Sequence, residues 1–472
     1  MEHPHETSPW WVLAAVGVGT FMSALDGSVV NTVLPVLRTD LHTTVAGIEW
    51  VTTVYLLVVS AILLGVGRAG DLYGHKKMYL AGFVIFVLGS ASCGISPSVE
   101  ILVGLRGFQA LGAAMLFANS PAILTKAFPA SMRGRALGAQ GTFTYLGLTV
   151  GPSLGGWLAH SFGWRWVFYI NIPVGVIGIW MALRFIRSDE PEGKVERFDW
   201  SGASLFTFGL VGLLVALNQG HAWGWTSAIT LSILAAAVLV LAIFIAFERS
   251  KSAPMLDLSL FGSKVFSATS AGALLNYVCI YGIIFVLPFL LIQGRGLDTQ
   301  QAGIVLTAQP IVMAVVAPFS GALSDRIGPR ILVTLGLLLL SLGIFLLARF
   351  AGGGSIGAIA AALAVCGLGV GLFVSPNNSA LMGSAPRHRQ GIASGVLATA
   401  RNVGMVLGVG LTGAVFTTIL ARGHGSAPAL VHGVEVSFHT CAAVALLAAV
   451  IVFLFVRDPG RQHGEMPVPG GH

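Results

Sequence analysis

Runs of apolar residues, most of them about 20 residues long, recur along the whole chain and are separated by short polar breaks. An α-helix needs about 20 apolar residues to cross the hydrocarbon core of a bilayer, so each run predicts a transmembrane helix. Composition agrees, because only 10% of the 472 residues are charged, whereas a soluble domain carries roughly 25%. The sequence therefore predicts an all-α integral membrane protein whose main solvent is lipid.

Fourteen apolar runs can be delimited, and we expect one transmembrane helix from each. The predicted spans are 10–37, 46–66, 77–96, 99–125, 135–160, 165–186, 201–218, 226–247, 264–292, 299–323, 331–349, 355–382, 391–418 and 437–456. An even number of spans places both chain termini on the same side of the membrane.

The distribution of positive charge predicts which side that is. Most of the 26 Lys and Arg residues lie in the gaps after even-numbered spans, as Lys76 and Lys77 do, or in the C-terminal tail. The positive-inside rule then predicts cytoplasmic termini in the inner (cell) membrane. Since the net charge of +7 is scattered over short turns, we expect no nucleic-acid partner. The four cysteines lie singly in apolar runs without metal-ligand spacing, and no metal or cofactor is predicted.

A weak internal repeat predicts the domain organisation. Gly67, Asp71 and Gly74 recur as a second Gly, Asp and Gly at a constant offset of 254 residues, which equals eight predicted helices. Such an offset predicts two six-helix bundles with two inserted helices between them, an arrangement found in transporters. The predicted division is an N-terminal bundle at 10–187, linkers and inserted helices at 188–263, a C-terminal bundle at 264–457 and a tail at 458–472.

Several motifs occur in order on these predicted helices, and together they carry a family resemblance. They are Leu25–Pro35, Gly67–Lys77, Arg106–Ala114, Gly147–Gly156, Trp164–Pro173 and Pro254–Phe261. Nearly the whole chain resembles the major facilitator superfamily, in particular its fourteen-helix drug:proton antiporter branch of the QacA/EmrB type. Three departures from the family motifs are Leu72 and His75 in place of arginines, Ala110 in place of glycine, and Glu49 in place of glutamine.

The resemblance implies a function. It implies proton-coupled efflux of amphiphilic small molecules, such as drugs or natural products, by alternating access and without enzymatic chemistry. The expected partners are a small-molecule substrate, protons and the lipid bilayer, and a monomer is favoured. A transporter of one specific metabolite, or a non-transporting membrane sensor, remains an alternative.

Asp26 is the strongest candidate for proton coupling, because it is the one carboxylate well inside a predicted helix. It lies about 24 Å along the first span, where an ionised group must face the protein interior or water. Burial favours the neutral carboxyl and a nearby cation favours the anion, which is the balance that a proton carrier needs. Arg106, inside the fourth span, is the expected partner. The two residues could alternatively form a fixed structural ion pair.

Two further motifs predict gating elements. Gly147, Gly151 and Gly155 recur every four residues and line one helix face, while Pro152 permits a bend. The resemblance implies a gating helix here and a conformational latch at the turn formed by Gly67, Asp71, Gly74 and Arg133. Ordinary small-residue packing and a tight basic turn are the alternatives.

Polar and aromatic residues inside the other spans are candidates for the substrate cavity. Met22 lies one turn before Asp26 on the same helix face, and Arg401 is a second intramembrane cation that could bind carbonyl groups or an anionic substrate group. The remaining candidates, each of which could instead hold helices together, are Asn31, Trp50, Tyr55, Asn119, Gln140, Asn276, Tyr277, Gln309 and Asn377.

Glu49 stands at the start of the second span, followed by Trp50. Near water it would be ionised at neutral pH, and with the adjacent aromatic ring it could hold a cationic apolar ligand. The alternative is a solvated carboxylate that interacts favourably with the helix dipole.

Overall fold

The structure is a computed structural model that describes residues 8–129, 132–187, 200–224, 226–249, 258–386 and 390–456. Regular secondary structure in these ranges is helical. The first seven helices are α1 (Pro9–Asp40), α2 (Val45–Tyr73), α3 (His75–Gly94), α4 (Val99–Ala127), α5 (Arg133–Phe162), α6 (Trp166–Tyr169) and α7 (Asn171–Phe185). Two further helices follow, α8 (Trp200–Trp223) and α9 (Ala228–Arg249).

The C-terminal part of the chain contributes seven more α-helices. They are α10 (Lys264–Phe289), α11 (Thr299–Leu306), α12 (Ala308–Ile327), α13 (Pro329–Ala351), α14 (Ile356–Gly383), α15 (Gln390–Arg422) and α16 (Ala427–Phe455). A short 3-10 helix at Leu258–Gly262 precedes α10, and a π-helical turn at Leu290–Gly294 follows it.

The predicted number of transmembrane helices is wrong. Within the described residues, 12 helical segments are long and apolar enough to cross a membrane, not fourteen. The other two predicted spans, 135–160 and 201–218, correspond to α5 and α8. In α8 the described side chains form an apolar stretch over Ser201–Leu217, and α5 is rich in glycine and polar side chains because it packs against other helices. Counting apolar runs alone therefore overestimated the membrane-crossing segments.

The helices pack in two groups along the chain. In the first group α1 packs on α5 and α7, and α4 packs on α2 and α3. In the second group α10 packs on α15 and α16, and α14 packs on α12 and α13. The two groups meet where α5 contacts α11 and where α2 contacts α15, while α8 packs on α9 and touches both α2 and α15. The interior surfaces of α1, α2, α5, α10 and α15 thus face one another.

The sequence repeat recurs as a repeated turn. Gly74 separates α2 from α3 with φ of +94°, and Gly328 separates α12 from α13 with φ of +86°. Only glycine adopts such angles without a steric penalty. The glycines of the two motif copies therefore serve the same purpose, a sharp reversal between consecutive helices.

Candidate functional site

Asp26 is completely buried in the middle of α1 and accepts three hydrogen bonds, from side chains of two other helices. Arg106 Nη1 of α4 donates to Asp26 Oδ2 at 2.6 Å. Gln109 Nε2, one turn further along α4, donates to Asp26 Oδ1 at 2.9 Å. Asn171 Nδ2, in the first turn of α7, donates to the same oxygen at 2.8 Å. We call these four residues the Asp26 cluster.

A second layer holds the donors of the Asp26 cluster in place. Arg106 also donates to Gln109 Oε1 at 2.8 Å and to the Val51 carbonyl oxygen of α2 at 3.4 Å. Asn171 Nδ2 lies 3.0 Å from Ser90 Oγ, and that hydroxyl donates to the Phe168 carbonyl oxygen at 2.8 Å. The network therefore connects α1, α2, α3, α4, α6 and α7.

An aromatic ring covers the cation of the Asp26 cluster. The Arg106 guanidinium carbon lies 4.3 Å from the centre of the Tyr55 ring, a cation–π distance. Tyr55 is only 6% exposed, and its hydroxyl has no hydrogen-bond partner in the described part of the chain. A buried hydroxyl without a partner is costly, so this atom marks a place where a water or ligand would be stabilised.

The charges of the Asp26 cluster compensate each other. The carboxylate is paired with Arg106 and accepts three charge-assisted hydrogen bonds, which are about twice as strong as neutral ones. Loss of either charge would leave the other buried without a counter-ion. Such a change would act on a network that joins six helices.

The sequence predicted the pairing of Asp26 with Arg106, and the structure places both residues in direct contact. It did not single out Gln109, Asn171 or Ser90 as site residues. Gln109 follows Arg106 by three residues, a spacing that puts both on one helix face. Asn171 lies two residues before Pro173, in a motif that carries the family resemblance. The helix spacing of Gln109 and the motif position of Asn171 could therefore have marked both residues.

Four of the other predicted cavity residues form hydrogen bonds between helices. Thr52 donates to Asn31 Oδ1 at 2.7 Å, which links α2 to α1. Asn119 Oδ1 lies 2.9 Å from His75 Nδ1, which links α4 to the start of α3. The same linking contacts are seen for Gln140 with Thr20 and for Asn377 with the Thr269 carbonyl oxygen.

Met22 packs between helices, and its place in a substrate cavity stays a prediction. It is fully buried, and its sulfur lies 3.5 Å from the position that a Cβ atom on Gly175 of α7 would take. Asn276 and Gln309 are likewise buried, in α10 and α12, whereas Trp50 is partly exposed. A shared helix face put Met22 beside Asp26, but that face packs on α7.

Arg401 and Tyr277 are brought together as a second charged site. The Arg401 guanidinium carbon lies 5.0 Å from the centre of the Tyr277 ring. Tyr145 of α5 and Tyr281 of α10 lie within electrostatic range of the same guanidinium. Tyr145 and Tyr281 were not predicted as site residues.

Glu49 is placed differently from the expectation of a solvated side chain. It is completely buried in the first turns of α2, and its carboxylate lies directly against Gly413 of α15. The first turn of a membrane helix is not always exposed to water, and in this protein α15 covers the first turn of α2. Glu49 is therefore part of the contact between the two helix groups.

The burial of Glu49 predicts its mutational effect. We expect Glu49→Gln to change transport of cationic and neutral compounds by the same factor, because a side chain covered by α15 acts on helix packing. Competition transport assays with matched cationic and neutral dyes measure this. Glu100→Gln, at an exposed position in the first turn of α4, is the matched control, and a selective loss of cation transport would contradict the expectation.

The glycines of α5 form two contact faces. Cβ atoms on Gly147, Gly151 and Gly155 would lie 2.7 Å from Phe21 O, 2.5 Å from Ser28 Cβ and 2.9 Å from Val29 Cγ1, respectively. This face packs on α1, so the predicted close helix contact is present, whereas gating remains a prediction. Gly67 and Gly74 lie in α2 and its terminal turn, and the side chains of Asp71 and Arg133 lie outside the described part.

The second face of α5 closes the gap between the helix groups. A Cβ atom on Gly156 would overlap the Thr299 carbonyl oxygen, and one on Gly303 would overlap that of Pro152. Ser153 Oγ lies 2.6 Å from Thr307 Oγ1 in the same contact. Gln293 Nε2 donates to the Pro35 carbonyl oxygen at 3.4 Å nearby. Because Pro35 and Glu49 flank the α1–α2 loop, these contacts close the protein at the end that holds this loop.

Comparison with known proteins identifies the family. The sequence profile described as Major Facilitator Superfamily matches residues 16–409 and again residues 269–467. The chain belongs to this superfamily. It is therefore a multi-pass membrane transporter that carries small molecules, rather than an enzyme.

Similar members of the superfamily include exporters and a riboflavin transporter. The riboflavin transporter RibZ of Clostridioides difficile is 32% identical over 96% of this chain and 98% of its own length. The multidrug resistance protein Stp of Mycobacterium tuberculosis is 34% identical over 87% of this chain and 76% of its own. The tetracenomycin C resistance and export protein of Streptomyces glaucescens is 31% identical with the same coverage.

Solved structures share the fold. A bacterial homologue of the human lysosomal transporter Spinster, in an inward-facing and unoccupied conformation, superposes with a TM-score of 0.69 at 17% identity, covering 95% of this chain and 96% of that one. A POT family transporter in complex with 5-aminolevulinic acid superposes with a TM-score of 0.70 at 15% identity, covering 94% and 95%. At such identities the likeness concerns the fold alone.

Proposed function

We propose that this protein is a proton-coupled antiporter that exports amphiphilic small molecules by alternating access. The observation that carries the proposal is the completely buried Asp26 carboxylate with Arg106 at 2.6 Å. An ionisable residue inside a membrane protein is expensive, and it marks a proton or substrate pathway by default. The names of two relatives, a multidrug resistance protein and an antibiotic exporter, support an amphiphilic substrate.

The arrangement of the helices supports a mechanism. Residues 10–187 and 264–457 would form the two bundles that move against each other, with 188–263 between them and the tail at 458–472. The described contacts close the end at the α1–α2 loop, and the opposite end carries Lys76, whose ammonium donates to the Leu183 carbonyl oxygen, and Lys77. The positive-inside rule would make that second end, with both termini, cytoplasmic.

Proton coupling would follow from the protonated and deprotonated states of Asp26. Protonation of Asp26 frees Arg106 from its counter-ion, and the rearrangement alters the contacts of α1, α4 and α7 that hold one conformation. Deprotonation restores the ion pair. A substrate that competes with protonation, through charge or through the same conformational change, would then move in exchange for a proton.

Transport of one specific metabolite is a second candidate, and a particular observation favours it. The riboflavin transporter is similar over almost the full length of both chains, whereas the two named exporters extend beyond this chain. Riboflavin is itself a planar amphiphile, so it falls within the amphiphilic substrate class proposed above.

Transport into proteoliposomes with an imposed pH gradient tests the proposal. We expect ethidium, riboflavin or both to move against their concentration gradient while the pH gradient is present and to equilibrate when an ionophore dissipates it. Movement of riboflavin alone would establish the second candidate. Movement that is indifferent to the pH gradient for every compound would contradict proton coupling.

A further inference from the structure

Arg401 carries a charge that the Asp26 cluster does not use. It lies 11 residues into α15, about 16 Å from the helix start, and its side chain is partly exposed although the helix packs on α10, α16, α2 and α8. None of the ion pairs among the described residues involves Arg401. A cation at membrane depth without a counter-ion is unfavourable, so the site is suited to receive negative charge.

Three tyrosines surround this cation, and they come from both helix groups. The Tyr277 ring lies under the guanidinium at 5.0 Å, and Tyr145 and Tyr281 lie within its electrostatic range. Tyr145 belongs to α5, whereas Tyr277 and Tyr281 belong to α10. We call Arg401, Tyr145, Tyr277 and Tyr281 the Arg401 cluster. The Arg401 cluster therefore lies where the two groups face each other.

The Arg401 cluster borders open space. Gly141 lies one helical turn before Tyr145 on the same face of α5, and a Cβ atom placed on it would have no neighbouring atom within 4 Å. The same is true of Gly27, the residue after Asp26. In a close-packed interior a side-chain position without contacts is unusual. An unfilled side-chain position therefore lies beside each cluster.

One tyrosine lies near both clusters. Tyr281 lies within electrostatic range of Tyr55, whose ring covers Arg106. The Tyr55 hydroxyl is the buried group without a hydrogen-bond partner described above. A ligand that extended from the position beside Gly141 to the one beside Gly27 would meet the Arg401 guanidinium at one end. It would contact tyrosine rings along its length and approach the Tyr55 hydroxyl near Asp26.

From this geometry we infer that the Arg401 cluster is a substrate subsite for planar aromatic anions, which carry a carboxylate or phenolate on fused rings. A guanidinium binds such oxygens through two parallel hydrogen bonds and stacks on aromatic faces, and tyrosine rings contact flat ligands at little entropic cost. A cation of the same shape would not form this contact, so it should bind less tightly than the anion. The inference names the substrate class of the efflux function proposed above, on which it rests.

Equilibrium binding of two dyes with one ring system tests the inference. Fluorescein is an anionic and tetramethylrhodamine methyl ester a cationic xanthene dye, and fluorescence anisotropy measures their binding to the purified full chain in nanodiscs. We expect fluorescein to bind more tightly. Arg401→Gln should weaken fluorescein binding about tenfold or more, as expected for one lost charge-assisted contact of about 1.4 kcal/mol, without weakening rhodamine binding.

Further variants separate recognition from structural damage. Arg422→Gln, at an exposed position near the end of the same helix, is the matched control and should bind both dyes as the unmodified chain does. Arg401→Lys should retain part of the fluorescein affinity, because it keeps the charge and loses the planar fork. If Arg401→Gln does not fold, Tyr277→Leu tests the inference in its place. This variant should weaken fluorescein binding although the Arg401 charge remains.

Two results would overturn the inference: equal changes in the affinity of both dyes, or unchanged fluorescein affinity in Arg401→Gln and Tyr277→Leu. Because binding is measured without a gradient, it is independent of coupling. Selective fluorescein binding without gradient-driven flux would contradict the proposed function alone. Gradient-driven flux with dye binding that ignores Arg401 would contradict only this inference.

Discussion

Asp26→Asn is expected to reduce transport driven by a pH gradient to background. The substitution keeps the shape of the side chain and removes its titratable group, so the Asp26 cluster can no longer exchange a proton. Substrate exchange without a gradient should survive. The measurement is gradient-driven flux in proteoliposomes, compared with counterflow of the same substrate. Gradient-driven flux at the normal rate would contradict the assignment of Asp26 as the proton carrier.

Stability must be separated from coupling in this experiment. Removing one partner of a buried ion pair costs about 3–5 kcal/mol because the other charge stays uncompensated. We therefore expect Asp26→Asn to lower thermal stability and Asp26→Asn with Arg106→Gln to recover part of it, while neither variant couples. Asp40→Asn, a half-exposed position at the end of the same helix, is the matched control and should preserve coupling.

Gly303→Ala is expected to open the closed end of the protein. The new Cβ atom would overlap the backbone carbonyl oxygen of Pro152, and neither backbone can move without separating α5 from α11. Overpacking of this kind costs about 1–3 kcal/mol. Since the cost falls only on the conformation in which the two helices touch, the population should shift by about 5–150-fold toward one in which they are apart.

Cross-linking measures this shift directly. Ser153 and Thr307 contact each other across the same interface, so Ser153→Cys with Thr307→Cys should cross-link rapidly with a short bifunctional thiol reagent. The native cysteines of the described residues are all buried. Gly303→Ala should slow this reaction, whereas Gly104→Ala, which meets no atom within 4 Å, should not. An unchanged rate in Gly303→Ala would show that the α5–α11 contact does not restrict the conformation.

The proposed proton-coupling site and the proposed substrate subsite occupy different parts of the interior. The Asp26 cluster is enclosed by six helices of the first group, with Arg106 only 2% exposed. The Arg401 cluster is partly exposed and takes residues from both groups. Changes in the Asp26 cluster should therefore alter the pH dependence of transport, while changes in the Arg401 cluster should alter which compounds are carried.

The sequence by itself determined that the chain is helical, crosses a membrane and belongs to a transporter superfamily. These conclusions depend on local properties, namely the length of apolar runs, the spacing of motifs and the presence of Asp26 within such a run. The pairing of Asp26 with Arg106 was also predictable, because a buried carboxylate requires a cation and the interior offers few. Local patterns suffice because a bilayer admits only helices and closed barrels, and apolar runs of about 20 residues select the helix.

Only the tertiary structure decided which helix face each polar residue occupies. Residue type and depth suggest cavity positions for Met22, Asn31 and Asn119. In the structure each of these side chains contacts a neighbouring helix. Glu49 looked solvated, but α15 covers it. The physical reason is that a helix surrounded by other helices lacks a separate polar face. Its sequence therefore does not indicate which side chains point toward the substrate cavity. The count of membrane spans failed for a related reason, since α5 replaces apolar bulk with glycine where α1 and α11 approach closely.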